Sequence, residues 1–476
     1  MDNITHKKRS ASQRAIFSCP VRFHNGFPVC DGVNLTEWDL FGFDSQEQFE
    51  AAVEEEQRAA IEAAEAAALA ADDAAPLVNT EKHDVFLQKE KNNKDIRDRF
   101  KLMEYIKEVL RPYLKKNSSI LKCYRVPCAD AVKFSQGVGD DGKECAKIEG
   151  VSHDHNVHVC PSCALKISMG RAFEIDDIIR KARAAGFECY FLTITMEHHR
   201  WDDLRVLLKD MQKASEKFWR NSAVRKLWAE NFNYRITALE IMFGFEDIEG
   251  NGGNGAHPHK HILIIGKKGV DLATVQEKFE KAWLKALGGR GKEGGIALKF
   301  EVCEEGKDVA EFGKRYLTKE ACEISLGGVR KKGHGESFTF FQLARLALEF
   351  PYLRQWFEPM MVAYYQATRG KRQLVFSDGL KKAFGVQEKS DDELAEESGE
   401  KIQKLAVVSN KDYWAKLLHA DIAETRILCR DGDREGLRLY LRSKGVLPFD
   451  SVEQMQDFLN GCILQPKGEK DDVCAS

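Results

Sequence analysis

Three histidines stand at alternate positions in one short stretch, Ala256-His257-Pro258-His259-Lys260-His261-Ile262-Leu263-Ile264-Ile265-Gly266. A glycine-rich run precedes this stretch and its own end is apolar, which is typical of a loop that enters a buried strand. Side chains alternate between the two faces of a strand, so His257, His259 and His261 fall on the same face. A polar strand face could carry histidines by chance. However, three of the chain's 13 histidines lie in this stretch, and imidazoles on one face favour a metal site.

A carboxylate is predicted to join these histidines. Residues 234–243 are predicted to form a strand. Antiparallel pairing with the histidine strand would bring Glu240 close to His259 and His261. A carboxylate among apolar neighbours is costly to bury unless a cation faces it. The alternative is that Glu240 lies on the solvent face of its strand.

A second cluster of metal-binding residue types lies upstream, where five cysteines occur between residues 121 and 171. The run Cys160-Pro161-Ser162-Cys163 has the spacing of a zinc knuckle. A redox-active pair with this spacing would follow a strand and open a helix, whereas a turn-rich stretch precedes this one. The spacing therefore favours zinc, and the alternative is that Cys160 and Cys163 are surface thiols without metal.

Two further stretches must be positioned with the histidine strand. Upstream, Phe191-Leu192-Thr193-Ile194-Thr195-Met196 predicts a strand, which we place over residues 189–196. Downstream, residues 307–320 are predicted to form a helix that carries Tyr316-Leu317-Thr318-Lys319. Tyr316 and Lys319 are three residues apart and would share a face of that helix, whereas Glu311 would lie on a different face.

The order of these motifs resembles the HUH endonucleases and, within them, the replication initiator (Rep) proteins of rolling-circle plasmids. HPHKHILII is similar to the second motif of that family and YLTK to the third. CPSC before the first strand and GKRQLVFSDGLK after the tyrosine also match, so the resemblance covers roughly residues 120 to 385.

The resemblance implies an α+β fold, in which the histidines lie on a central strand of an antiparallel sheet and the tyrosine lies on a helix over it. We expect the helices on one face of the sheet. A small zinc-knuckle module is expected to precede this HUH endonuclease-like core, and a helical C-terminal region is expected to follow it. The predicted division is an N-terminal arm with an acidic Ala/Glu-rich segment (1–94), a helical and zinc-knuckle region (95–186), the nicking core (187–345), its helical and basic extension (346–385), and a linker (386–402) with a C-terminal subdomain of two short helices (386–476).

The resemblance also implies roles for the metal-site residues. His259 and His261, with Glu240, are expected to hold a divalent cation, Mn²⁺ or Mg²⁺. His257 is a weaker candidate ligand, because Pro258 can turn the chain before the strand is regular.

The tyrosine is expected to be the nucleophile of the reaction. The hydroxyl of Tyr316 would attack a DNA phosphate and form a phosphotyrosine, assisted by the bound cation because a free tyrosine has a pKa near 10. Lys319 would contact phosphate or steady the charge on Tyr316, with an ordinary exposed lysine as the alternative. The competing tyrosines, Tyr352, Tyr364 and Tyr365, lie in apolar helical surroundings typical of a core.

In the zinc site, the family usually has one cysteine shortly before the knuckle and another far upstream. Cys128 is the predicted distant ligand, with Cys123 and Cys145 as alternatives. No cysteine stands shortly before the knuckle in this chain, so His155 is the first choice for that ligand and His153 the second.

Basic residues are expected to contact the DNA backbone. Arg200, Lys371 and Arg372 are the predicted DNA-binding residues, and a basic amphipathic helix over residues 204–227 could also face phosphate. The overall net charge of −3 carries no signal of nucleic-acid binding, because an acidic segment can mask a basic face.

Composition and length set the remaining expectations. A chain of 476 residues with 43% hydrophobic residues suits two or three soluble domains, and no apolar run is long enough to cross a bilayer. The N-terminus shows no apolar segment of a secretory signal, and the 13 cysteines are an odd number. Both observations favour the reducing cytoplasm of a bacterium or an archaeon.

The predicted function is initiation of rolling-circle plasmid replication. The protein would bind double-stranded and single-stranded origin DNA, nick one strand and leave a 3′-hydroxyl for a host polymerase working with a helicase; no membrane partner is expected. The alternatives are an HUH transposase or a relaxase, although relaxases carry the tyrosine before the histidines, and a zinc-containing DNA-binding regulator without catalysis. A cupin-like metal enzyme would explain the histidines but neither the tyrosine motif nor the cysteine knuckle.

Overall fold

The computed structural model describes residues 22–24, 27–29, 80–138, 144–199, 202–244, 255–291, 297–303, 308–312, 315–318, 337–395 and 400–464. The acidic segment expected over residues 45–75 lies outside them. The chain divides into two compact units. The first unit comprises Met1–Asn92, Glu174–Glu305 and Glu320–Val386, and the second comprises Asn93–Phe173, Gly306–Lys319 and Gln387–Ser476. Each unit is therefore built from separate stretches of sequence.

The described secondary structure is α+β, as predicted. The strands, numbered in chain order, are β1 (Arg22–His24), β2 (Phe27–Val29), β3 (Ala131–Val138), β4 (Glu144–Glu149), β5 (Glu188–Ile194), β6 (Phe232–Gly244), β7 (Gly255–Gly266), β8 (Leu298–Val302), β9 (Asp308–Phe312), β10 (Arg315–Thr318), β11 (Ser337–Phe338), β12 (Leu374–Phe376) and β13 (Glu400–Ser409).

The α-helices of the described chain, also in chain order, are α1 (Thr80–Leu110), α2 (Ser119–Lys122), α3 (Pro161–Ala184), α4 (Leu204–Arg220), α5 (Ser222–Asn231), α6 (Leu272–Leu287), α7 (Phe340–Glu349), α8 (Arg354–Thr368), α9 (Leu380–Ala383), α10 (Asp391–Ala395), α11 (Asn410–Lys416), α12 (His419–Arg430), α13 (Arg434–Ser443) and α14 (Val452–Leu464). Among these helices, none combines the length and the apolar character that a membrane crossing would need.

The first unit is organised around an antiparallel sheet whose strand order is β11-β6-β7-β5-β8, with β12 also pairing with β6. The histidine strand β7 is central and lies between β6 and β5. Its apolar end, residues 262–265, is completely buried, which is the reason that a continuous apolar run forms an interior strand here. The pairing sets Glu240 directly opposite His259, as the sequence predicted.

Helices cover both faces of this sheet, so the expectation of helices on one face is wrong. One face of β7, with Ile262 and Ile264, packs in an apolar cluster with residues of α4, α5 and α6. The other face, with Leu263 and Ile265, packs against the second half of α3 and against Leu380 of α9. Both faces of β7 are apolar along this end, and each therefore needs a covering layer.

The basic stretch 204–227 forms two helices where one was predicted. The side chain of Asn221 accepts hydrogen bonds from the backbone amides of Ala223 and Val224, and this cap starts α5 immediately after α4 ends. Asparagine is a preferred N-cap because its side-chain oxygen satisfies amides that have no partner within the helix. The amphipathic pattern of the sequence continues across Asn221, so it did not indicate that the helix ends there.

The second unit contains an antiparallel sheet of order β13-β3-β4. Its core joins apolar residues of α1, the cysteine region and the C-terminal helices. Residues 386–402, predicted as a linker, include helix α10 and the start of strand β13. The region 410–445 forms three helices, α11 to α13, where two were predicted.

The described residues around Tyr316, 308–312 and 315–318, form two antiparallel strands, so the helix predicted over residues 307–320 is wrong. Strands β9 and β10 pair antiparallel, with Arg315 opposite Phe312 and Tyr316 opposite Glu311. The sequence between them contains Gly313, and glycine disfavours the interior of a helix. The sequence prediction gave too little weight to that glycine.

Candidate metal centres

The first candidate metal centre lies on the central sheet of the first unit. The carboxylate oxygen Oε2 of Glu240 lies 2.6 Å from Nε2 of His259 and 2.9 Å from Nε2 of His261. The three side chains are buried, with 5 to 11% of each side chain exposed. Strand pairing produces this convergence, because Glu240 is opposite His259 on β6 and the two histidines alternate along β7.

The neighbouring strand holds one of these imidazoles in place. Nδ1 of His261 lies 3.2 Å from the hydroxyl oxygen of Thr193, the residue opposite it on β5. Within the described residues, the buried Nδ1 of His259 has no hydrogen-bond partner. A hydrogen bond at Nδ1 orients a histidine so that Nε2 can serve as a ligand, and Thr193 supplies that contact for His261.

His257 faces a different set of partners. Its Nδ1 lies 2.6 Å from Nε2 of His198, and its Nε2 lies 3.3 Å from the hydroxyl of Thr195. Burial, followed by the nearby His259 and His198, lowers the pKa of His257 to about 3, so this imidazole is neutral at pH 7. His257 therefore lies beside the Glu240 cluster in contact with His198 and is not among the three residues that converge.

The donor set of the Glu240 cluster fits a divalent cation. Its ligand atoms, one carboxylate oxygen and two imidazole nitrogens, all lie within 4.8 Å of one another. Nitrogen and oxygen donors of this kind suit Mn²⁺ and related ions, and Mg²⁺ accepts carboxylate oxygen with water as further ligands. Three protein ligands leave coordination positions open for a substrate oxygen, as a catalytic site requires.

The second candidate metal centre is a buried thiol cluster in the second unit. The sulfur of Cys123 lies 3.8 Å from the sulfur of Cys160 and 3.6 Å from that of Cys163. A carboxylate oxygen of Asp154 completes a group whose four atoms lie within 4.8 Å of one another. In a tetrahedral site with Zn–S bonds of about 2.3 Å the sulfurs are roughly 3.8 Å apart, which the observed distances match. The ring of His153 packs against Tyr124 beside this cluster.

Two predicted zinc ligands lie elsewhere. Cys128 is exposed and is absent from the cluster, and Cys123, one of the alternatives to it, occupies the position of the distant ligand. His155 adopts a left-handed backbone conformation with φ of 52°, and its Nδ1 pairs with a carboxylate oxygen of Asp392 at 2.7 Å. With this backbone conformation at His155, the His155 side chain contacts Asp392, and the Asp154 side chain contacts the thiols.

The pair Cys160 and Cys163 straddles the start of a helix, since α3 begins at Pro161. A redox-active pair shares this feature, so helix position alone does not separate the two chemistries. The third sulfur favours metal binding over redox chemistry. A redox pair needs only two thiols, whereas three sulfurs with a carboxylate can supply the four ligands of a tetrahedral metal site.

Burial and mutual hydrogen bonds shift the pKa values of the groups in the thiol cluster. Hydrogen bonds from Cys123 and Cys160 lower the pKa of the Cys163 thiol, whereas burial raises the pKa values of Cys123, Cys160 and Asp154. A bound cation would favour the charged form of every one of these groups. The buried amine of Lys107 donates a hydrogen bond to the backbone oxygen of Cys123 at 2.6 Å, and burial lowers the pKa of Lys107 from its ordinary value.

The structure does not describe the side chain of the predicted nucleophile or the predicted lysine. Tyr316 is on β10, which belongs to the second unit, and its side chain is outside the described residues. Lys319 and Arg200 are also outside them. Lys371 and Arg372 are exposed and lie in the first unit, where they precede β12.

The structure identifies three site residues that the sequence reasoning missed. His198 contacts His257, Thr193 contacts His261, and Asp154 joins the thiols. The alternation Thr193-Ile194-Thr195 was a usable signal, because residues that share a strand face with a neighbouring active strand can touch it. Asp154 had no such signal, since its position depends on an irregular loop.

Comparison of the chain with protein-family models, with curated proteins and with solved structures gives no match. The functional argument therefore rests on the residues and the geometry of this chain.

Proposed function

We propose that this protein is a metal-dependent, HUH-type single-strand DNA endonuclease that initiates rolling-circle replication of a plasmid. The observation that carries the proposal is the buried contact of Glu240 with His259 and His261 on a central antiparallel strand. The YxxK motif at Tyr316, downstream of that strand in the sequence, supports it.

In the proposed reaction, Tyr316 attacks the phosphorus of the scissile phosphodiester. A bond forms between the tyrosine oxygen and phosphorus, and the bond from phosphorus to the 3′-oxygen breaks. The proton lost by the tyrosine hydroxyl is balanced by the proton that the departing 3′-oxygen gains. The protein stays linked to the 5′-phosphate, and the free 3′-hydroxyl becomes a primer for a host polymerase.

The Glu240 cluster would hold the cation that this step needs. A divalent cation bound there would offset the charge that develops on the scissile phosphate. Glu240 would contribute a carboxylate oxygen ligand, and His259 and His261 would contribute nitrogen ligands. Thr193 keeps the ring of His261 aimed at the cluster through its 3.2 Å contact with Nδ1.

The thiol cluster serves a structural role in this proposal. Zinc held by Cys123, Cys160 and Cys163, with Asp154, would tie the end of α2 to the start of α3. Such a link between separate stretches stabilises the folded state because the unfolded chain has no preformed site. The bacterial or archaeal cytoplasm, where thiols stay reduced, is the compartment that suits this site.

The proposed function is tested by incubating the purified protein with supercoiled plasmid DNA that carries the replication origin of its own element. Conversion to the open circle with Mn²⁺ or Mg²⁺, and none with EDTA, is the expected result. Primer extension then locates the nick, and a labelled strand shows which DNA end stays attached to protein. DNA binding without any nick under all cation conditions would favour the alternative, a zinc-containing DNA-binding regulator.

A further inference from the structure

The segment that carries Cys123, the distant thiol of the metal cluster, has a strained backbone. Cys123 is the C-cap of α2, and the next residue, Tyr124, adopts the left-handed conformation with φ of 55°. A bulky side chain disfavours that conformation, so the surrounding structure has to hold Tyr124 in it. The strain lies directly beside a sulfur of the cluster, which is 3.8 and 3.6 Å from the sulfurs of Cys160 and Cys163.

Tyr413 of α11 holds this turn at its backbone. Its hydroxyl donates a hydrogen bond of 2.7 Å to the backbone oxygen of Tyr124, and both residues are buried. A buried carbonyl oxygen needs a donor. Here the donor comes from a helix that lies 289 residues further along the chain, so the turn depends on the docking of α11.

Lys107 of α1 holds the neighbouring carbonyl group. Its amine donates a hydrogen bond to the backbone oxygen of Cys123 at 2.6 Å and lies 2.9 Å from Nε2 of His419 on α12. Lys107 and His419 are both buried. The backbone of Cys123 is therefore held by a contact that does not involve its sulfur.

Arg125 ties the same segment to α11 a second time. Its guanidinium donates hydrogen bonds to the backbone oxygens of Trp414, at 2.8 Å, and of Leu417. The guanidinium carbon also lies 4.8 Å from the centre of the Trp414 ring. Three consecutive residues, 123–125, are thus anchored within the second unit to helices outside the cysteine region.

Two roles for these contacts make different predictions. An ordinary core contact stabilises the metal-free and the metal-loaded protein equally, so its loss leaves the metal affinity unchanged. A contact that holds a ligand residue in its metal-binding position raises the metal affinity, because less of the chain remains to be ordered when the metal binds. The strained turn and the convergence of the contacts on Cys123 and Tyr124 favour the second role.

We propose that Tyr413 and Lys107 are positioning residues of the thiol cluster, which hold Cys123 in place for the metal through the carbonyl groups of Cys123 and Tyr124. The coupling is reciprocal, so bound zinc holds α11 more firmly against the rest of the second unit. The proposal rests on the proposed zinc binding of the thiol cluster and is independent of DNA cleavage.

The test measures the Zn²⁺ affinity of the full-length protein by competition with a colorimetric chelator of known affinity. The variants are Tyr413→Phe, which removes a single hydroxyl, and Lys107→Met, which removes the amine and keeps most of the side-chain volume. Tyr440→Phe is the first matched control, because it removes a hydroxyl that donates to Asp421 in the same unit. Lys101→Met is the second, because Lys101 is an exposed lysine of α1.

Tyr413→Phe and Lys107→Met are each expected to bind Zn²⁺ about tenfold more weakly than the wild type, the effect typical of a residue that supports a metal ligand. The two controls should keep the wild-type affinity. With Co²⁺ in place of zinc, Tyr413→Phe and the wild type should have the same absorption spectrum at saturation, because the ligands are unchanged. Thermal melting of the metal-free proteins shows which variants are folded.

Hydrogen exchange of the wild-type protein gives a measurement that needs no variant. Removal of zinc with a chelator should speed the exchange of amides in α11 more than that of amides in α14, which belongs to the same unit. This measurement decides the question if Tyr413→Phe and Lys107→Met fail to fold.

Wild-type Zn²⁺ affinity in both folded variants would overturn the positioning role and leave the zinc site standing. An equal loss of affinity in Tyr440→Phe, or exchange in α11 that does not respond to zinc, would overturn it as well. A wild-type protein that binds no Zn²⁺ would remove the zinc site and the positioning role together. Nicking with Mn²⁺ is assayed separately, so each of these outcomes is distinguishable from failure of the endonuclease proposal.

Discussion

If the thiol cluster binds zinc as proposed, replacing Cys123 with serine should abolish zinc binding by the second unit, whereas replacing Cys128 should not. Cys123 contributes one of the three sulfurs of the cluster, at 3.8 and 3.6 Å from the other two, against roughly 3.8 Å for an ideal tetrahedral zinc site. Cys128 is exposed, lies five residues further along the same chain segment and is absent from the cluster. It is therefore a matched control for the removal of a cysteine.

The size of the effect follows from linkage between metal binding and folding. Zinc at about a thousand times its dissociation constant stabilises the site by about 4 kcal/mol. For a unit of this size, that corresponds to a fall in melting temperature of roughly 10 °C when the metal is removed. The same fall is expected for the wild-type protein with a strong chelator, and rebinding of zinc should release protons because the buried thiols must ionise.

The assay combines elemental analysis of the purified variants with thermal melting. Wild type and Cys128→Ser should each contain one zinc per chain, and Cys123→Ser should contain close to none and melt earlier. A full zinc content in Cys123→Ser, or loss of zinc in Cys128→Ser alone, would refute the ligand set. If Cys123→Ser does not fold, the chelator experiment on the wild type still decides whether metal stabilises the unit.

Two further predictions concern the sheet and a tight turn. His261→Ala should abolish cation-dependent nicking and weaken Mn²⁺ binding by at least about tenfold, since one of three protein ligands is removed. His199 is exposed, so His199→Ala should keep both the nicking activity and the Mn²⁺ affinity. Equal nicking activity in the two variants would count against the Glu240 cluster as the cation site. Gly150→Ala should destabilise the protein more than Gly186→Ala. Both glycines have φ of 86°, so the backbone strain is the same. Only at Gly150 would the added side chain clash, at 2.4 Å from the backbone oxygen of Ala131, because Gly186 has open space around it. Left-handed strain costs about 1–2 kcal/mol at each position, so equal melting temperatures of the two variants would contradict the clash.

Local sequence patterns were sufficient to predict that Glu240, His259 and His261 lie together. The alternation of His259 and His261 fixes the face on which they lie, and the pairing of two adjacent strands brings Glu240 opposite His259. Strand periodicity and a short connection in sequence determine this geometry, so no long-range information was needed.

The thiol cluster and the Tyr316 segment were harder to predict, for different reasons. The choice between Cys123 and Cys128 depends on how an irregular loop folds back onto α3, and periodicity carries no signal for such a loop. The pairing of β13 with β3 joins residues far apart in sequence, so residues 400–409 could not be recognised as part of the same sheet. For the segment around Tyr316, helix-compatible residues on both sides of Gly313 outweighed the turn signal of that glycine.

The role of Tyr316 is the central claim of the proposed function, and peptide mapping of the protein–DNA adduct tests it most directly. Wild-type protein is incubated with origin DNA and Mn²⁺, digested with protease, and the peptide linked to the 5′-phosphate is sequenced by mass spectrometry. The account predicts DNA attached to Tyr316, with Tyr316→Phe forming no adduct while still binding DNA, and with Tyr364→Phe forming the normal adduct. DNA attached to Tyr364, or nicking with no tyrosine-linked peptide, would contradict the account.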